Sequence, residues 1–117
     1  MIESYKDLIA WQKAMDLVEE TYKLVRKLPT SETYALSDQM RRAAVSIPSN
    51  IAEGHTRKGT KEYLQFLYIA KGSKSELETQ LLIGQRLSFF SADEVQRAIQ
   101  LCDEVGRILT GLISSLS

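Results

Sequence analysis

Leu8, Trp11, Met15, Val18, Tyr22 and Val25 recur at steps of three and four residues. That is the spacing of one stripe on an α-helix. Beside it runs a second stripe in the same steps: Ala10, Ala14, Leu17, Thr21, Leu24 and Leu28. A two-stranded coiled coil needs one such seam. Two adjacent seams make an apolar face wide enough to require two or more neighbours. The pattern predicts a first helix over about 7–27, ended at Leu28-Pro29-Thr30-Ser31 because the residue before a proline is pushed out of the α region.

A second helix is predicted over about 34–55, with Leu36, Met40, Ala43, Ala44, Ile47 and Ile51 as its apolar face. The paired alanines let another helix come close. Pro48 lies inside this pattern, removes the hydrogen bond to the Ala44 carbonyl, and should bend the helix. The apolar spacing continues through Pro48 to Ile51, so the segment reads as one kinked helix. Gly54 or Gly59 is the expected C-terminal stop.

The third helix is predicted over about 61–87, with Thr60 as N-cap and Tyr63, Phe66, Ala70, Ser73, Leu77, Leu81 and Gly84 as its seam. Gly72 and Ser73 weaken its middle and point to close helix contact. The fourth, over about 92–114, opens on Ser91-Ala92-Asp93-Glu94, a capping-box pattern. Its seam is Val95, Ala98, Cys102, Val105, Leu109, Leu112 and Leu116, and the tail Ser114–Ser117 is expected to fray. Loops of a few residues make sequential helices antiparallel. The expected fold is all-α: one domain over 1–117, an antiparallel up-down four-helix bundle.

Composition supports this and narrows the setting. Apolar residues make up 44% of the 117, enough for a core, and no uncharged apolar run is long enough to span a membrane. The charged opening Met1–Asp7 lacks the apolar centre of a signal peptide, and Cys102 is the only cysteine. Together they lead us to expect a cytoplasmic protein without an internal disulfide.

Net charge is zero but unevenly spread. Between Arg41 and Lys74 seven basic residues face only Glu53 and Glu62, a local balance of +5. Between Glu76 and Glu104 six acids face Arg86 and Arg97, a balance of −4. This asymmetry is compatible with an anionic partner or with self-association between unlike faces. If the partner is RNA or DNA, the candidate contacts are Arg41, Arg42, Arg57, Lys58 and Lys61.

The chemistry-bearing residues are sparse. One histidine, His55, and one cysteine cannot supply a clustered zinc site, and no Glu-x-x-His pair is present for a di-iron bundle. Neither metal nor cofactor is expected, and Cys102 reads as a core residue. The run Gly54-His55-Thr56-Arg57-Lys58-Gly59-Thr60 lacks the order of a P-loop and follows no strand, so it reads as a basic helix–helix loop.

On the second helix, Arg42, Ser46, Asn50 and Glu53 fall within about 80° of one another at about 100° per residue. This polar stripe borders the apolar face, where polar groups must be paired. It reads first as a register-fixing network or a subunit interface, and less readily as a ligand site. A hydrolase using Ser46 and Glu53 has no histidine base on this face. Trp11, Tyr22, Tyr63 and Phe66 are expected in the core, and Phe89 and Phe90 are expected to plug one end of the bundle.

The run Gln39-Met40-Arg41-Arg42-Ala43-Ala44-Val45-Ser46-Ile47-Pro48-Ser49-Asn50-Ile51-Ala52-Glu53-Gly54 resembles the signature of the bacterial four-helix bundle proteins related to the ribosomal-RNA intervening-sequence protein. Tyr5–Ala14, Tyr63–Ser73 and Glu76–Gln80 are also similar to that family, so the likeness covers nearly the whole chain. The resemblance implies an up-down bundle assembled as a ring-shaped homopentamer. It extends to the accessory variability proteins of diversity-generating retroelements, basic pentameric barrels that bind a reverse transcriptase and nucleic acid. The zero net charge here sets this chain apart from those basic barrels.

The sequence therefore leads us to expect a non-enzymatic homo-oligomeric bundle acting as a binding or scaffold protein. Its partners are expected to be copies of itself and another protein or a nucleic acid. The rival reading is a nucleic-acid-binding accessory protein that uses a basic face from residues 41–74.

Overall fold

In the computed structural model, which describes residues 3–117, the four apolar stripes become α1 (Ile9–Val25), α2 (Leu36–His55), α3 (Thr60–Arg86) and α4 (Ala92–Leu116). Short 3-10 turns at Tyr5–Asp7 and Thr30–Glu32 precede α1 and α2. Packing runs α1–α2, α2–α3, α3–α4, and α4 back to α1. The result is an all-α up-down bundle 43 Å long and 25 × 20 Å across.

Each helix buries one stripe. On α1 it is the second seam that turns inward: Ala10, Ala14, Leu17, Thr21 and Leu24 are buried. Thr21 is tolerated there because its hydroxyl donates to the Leu17 carbonyl at 2.7 Å. The first seam is not core throughout. Leu8 and Val25 are buried, Trp11 and Val18 are half-buried, and Met15 and Tyr22 are exposed. The expectation that Tyr22 lies in the core is therefore corrected. In a four-membered ring α1 has two neighbours, and Ala10–Leu24 already fill the space between them.

The first boundaries are set by side chains. Ser4 caps the opening 3-10 turn, with Asp7 reaching back to the Ser4 backbone. Ser91 accepts from the Glu94 amide at 3.1 Å while Glu94 accepts from the Ser91 amide at 2.8 Å, the capping box that the sequence shows. The Lys27 ammonium, 2.7 Å away, and the Ser91 amide hold the Glu94 carboxyl below the usual carboxylate range.

Other boundaries differ from expectation. Thr60 is the first residue of α3, and Gly59 is the N-cap without a side-chain bond. Neither Gly54 nor Gly59 ends α2 in a left-handed conformation, since α2 closes at Thr56 with ordinary α dihedrals. Gly54 instead lies buried within α2, against Phe66 and Tyr63 of α3. The tail does not fray at Ser114, because α4 continues to Leu116. Pro48 sits inside an uninterrupted α2, with its ring buried.

Phe90 is buried at the α3–α4 turn with its ring against Gly84, and Phe89 is half-buried beside it. These two residues close one end of the bundle as the sequence implied. Ser73 meets α2, but Gly72 is exposed, and a Cβ there would have open space around it.

Candidate functional site

The polar stripe of α2 divides in two. Asn50 Nδ2 donates to the Ser46 carbonyl at 2.8 Å and to Ser46 Oγ at 2.9 Å. Ser46 Oγ in turn shares a 2.8 Å hydrogen bond with Ser73 Oγ of α3. Ser46 and Asn50 thus form a three-residue link across the α2–α3 seam, with Ser73 as the partner that sequence reasoning missed. A small hydroxyl residue beside Gly72 on the α3 seam was the available signal.

Arg42 and Glu53 turn away from this link. Arg42 pairs with Asp38 one turn back at 3.0 Å, and Glu53 pairs with Arg57 at 3.5 Å. Ser46 therefore meets a serine and an amide, neither of which is a base, and Glu53 is held by a guanidinium. The Ser46/Glu53 hydrolase arrangement does not assemble.

Removing the amide should matter. Asn50→Leu is expected to destabilise by about 1–2 kcal/mol, since it strips a half-buried donor pair from Ser46. Lys23→Ala, which breaks only an exposed 3.3 Å pair with Glu20, is expected within about 0.5 kcal/mol of wild type. Urea titrations of both variants, followed by circular dichroism, check the difference.

The five candidate nucleic-acid contacts fall in two groups along the bundle. Arg41 and Arg42 lie near the start of α2, with Arg41 donating to the Thr33 carbonyl at 3.4 Å. Arg57, Lys58 and Lys61 lie past its other end, about 20 Å away at 1.5 Å per residue. Arg57 is further occupied by Glu62 at 3.9 Å and by the Phe66 ring, 4.9 Å beneath its guanidinium. Lys58 and Lys61 are exposed and have no ion pair among the described residues. Among the described residues, no three His, Cys, Asp or Glu side chains are grouped to hold a metal, and no helix is long and apolar enough to cross a membrane.

The surface feature that stands out is apolar. Along the α1–α2 edge the displaced seam of α1 borders a shallow cavity of about 330 Å³, whose lining is apolar from Trp11, Met15, Val18, Val45 and Pro48 except for the hydroxyl residue Ser49. Tyr5 braces Trp11 edge-to-face with ring centroids 5.5 Å apart. Tyr22, with Val18, lines a second hollow farther along α1. On α3, Tyr68, Ile69, Leu82 and Ile83 are also exposed, as is Leu87 just past its end, by 58%. The sequence carried the first of these signals as the doubled seam of the first helix. It carried no comparable pattern for α3, whose exposed aliphatics fall outside its main stripe.

Cys102 is buried on α4, and burial pushes its thiol up to about 12, with Glu78 adding to the rise and Lys74 opposing it. The neutral thiol is the form the fold favours. Its contribution is complete below the unfolded-state value near 8.5 and is lost at about 1.4 kcal/mol per pH unit above it, until the folded value is passed. Between about pH 8.5 and 10.5 the wild type is expected to lose roughly 2 kcal/mol more than Cys102→Ala does. Paired denaturant titrations at the two pH values read this difference directly.

Against known proteins, the model of the 23S rRNA-intervening sequence protein family matches residues 6–111. A solved structure from Bacteroides thetaiotaomicron, a protein of unknown function from the S23 ribosomal protein family, superposes with a TM-score of 0.82 at 20% identity. The superposition covers 90% of this chain and 98% of that one. At that identity the likeness shows the fold. No curated protein matches the sequence.

Proposed function

The chain belongs to the 23S rRNA-intervening sequence protein family, and from that premise we propose that it works as a homo-oligomeric helical scaffold or binding protein, not as an enzyme. The observation that carries this reading is the apolar α1–α2 groove. Trp11, Met15, Val18 and Val45 lie on it half-buried or exposed as one contiguous apolar patch, the kind of surface that marks an interaction site.

A second copy of the chain is the proposed occupant, and α3 supplies the matching surface. The groove is concave and lies on the α1–α2 edge, whereas the exposed aliphatics of α3 stand on a different helix. Joining two unlike patches makes a head-to-tail contact, which closes into a ring when the rotation allows. This fits the homopentameric ring implied by the family resemblance.

A covered groove leaves little for a hydrophobic dye. Fluorescence of 1-anilinonaphthalene-8-sulfonate with native protein is expected to stay near the buffer level and to rise when the assembly is diluted apart. Bright dye that ignores dilution would mean an open groove in solution, against the proposal.

A further inference from the structure

The opposite edge of the bundle, where α3 meets α4, has a different character. A cavity of about 320 Å³ in this seam is lined by Lys71, Lys74, Asp103, Gly106, Arg107 and Thr110. Its charged groups are three cations and one acid, drawn from two helices. It lies apart from the α1–α2 groove, so a ligand bound here is independent of the oligomer reading.

Lys74 is the unusual member. Its side chain is only 15% exposed, because it lies across Gly106 instead of reaching into water. A Cβ at Gly106 would sit 2.9 Å from Lys74 Cε and 3.1 Å from Nζ. Glycine inside a helix is costly relative to alanine, and here it makes the space that holds an ammonium in the seam. Among the described residues that ammonium has one ion pair, with Glu78 one turn on at 3.7 Å, a contact too long to take up its hydrogen-bond donors.

The other donors are also available. Lys71 is half-buried one turn before Lys74, with no ion pair among the described residues. Arg107 pairs with Asp103 at 2.8 Å, but both side chains are more than half exposed, so the pair is screened and exchanges readily. Thr110 is exposed on the next turn of α4.

We infer that the α3–α4 seam is a phosphate site in which Lys71, Lys74 and Arg107 supply charge-assisted donors and Thr110 a hydroxyl. Ammonium and guanidinium groups lining one hollow suit a tetrahedral oxyanion, and the guanidinium can take two of its oxygens at once. Two sources carry that group: free phosphate, or the phosphodiester backbone of a nucleic acid strand.

The test is anisotropy of a short fluorescein-labelled single-stranded RNA at low salt, with orthophosphate as competitor. The variants are Lys74→Met, which keeps the packing over Gly106 and removes the charge, and Gly106→Ala, which keeps every charge and displaces Lys74. Wild type is expected to bind saturably, Lys74→Met to bind about tenfold more weakly and Gly106→Ala about threefold more weakly. Lys23→Ala, on the exposed side of α1 and away from this seam, is expected to stay within about twofold. Displacement by orthophosphate at low millimolar concentration assigns the site to free phosphate, and displacement only by unlabelled RNA assigns it to the backbone. If RNA and orthophosphate both fail to bind wild type, or if folded Lys74→Met binds as wild type does, the site does not exist. Circular dichroism establishes that each variant is folded, and Lys74→Met decides the matter should Gly106→Ala unfold.

Discussion

Gly54→Ala is expected to destabilise the protein by about 2–3 kcal/mol, although glycine to alanine within a helix ordinarily stabilises by roughly 1 kcal/mol. The reversal comes from the α2–α3 approach. A Cβ on Gly54 would lie 2.7 Å from Phe66 Cβ, 3.1 Å from Tyr63 Cδ1 and 3.3 Å from the Tyr63 carbonyl oxygen. Phe66 Cβ and a backbone carbonyl cannot swing aside as a lysine tip can. The two helices would have to part, and the Ser46–Ser73 bond in the same seam would lengthen with them. Gly111→Ala is the control. That position is exposed on α4 with open space around it, so the substitution should raise stability by about 0.5–1 kcal/mol. Urea midpoints at unchanged slope read both effects. Equal midpoints for Gly54→Ala and wild type would mean that the α2–α3 contact is looser in solution than these distances require.

The second large effect concerns the groove. Met15→Glu combined with Val45→Glu is expected to weaken self-association by about a thousandfold or more, because each subunit contact would desolvate new carboxylates without partners. Both positions are exposed in the isolated chain, at 39% and 41%, so the helices themselves should persist. Ser114→Glu, on the exposed side of α4, is expected to leave association unchanged. Sedimentation velocity across a dilution series measures the shift, and circular dichroism confirms the retained helix. A double variant that associates as wild type does would remove the α1–α2 groove from the interface.

Much of the fold was legible because the apolar period is strong. The seams of α2 and α4 appear in the core nearly residue for residue, from Met40 to Ile51 and from Val95 to Leu109. The Ser91 box needed only four residues to read. Glycine was harder. A glycine near a helix end suggests a left-handed stop, and only the approach of Phe66 reveals that Gly54 is a packing position. Likewise, periodicity alone could not choose between two equal seams on α1, because the choice depends on which neighbours the ring provides.

The candidate site was less legible. Helical angle placed Arg42, Ser46, Asn50 and Glu53 on one stripe, but local pairing split them, since Asp38 and Arg57 sit one turn away and compete for the two charged members. The basic segment looked continuous in sequence, while a helix of 20 residues holds its two ends apart. The Lys74–Gly106 seam joins residues far apart in the chain and left no linear trace. Gln80 is a further case: it is buried, with its Oε1 unpartnered among the described residues, and no sequence pattern set it apart from its neighbours.

The measurement that bears most directly on the scaffold reading is the mass of the wild-type protein by light scattering at micromolar concentration. A single species several times the 13.2 kDa subunit, of pentamer size, is the expected result. A species of 13.2 kDa that persists at tens of micromolar would leave the α1–α2 groove without its proposed occupant and would contradict the homo-oligomeric scaffold.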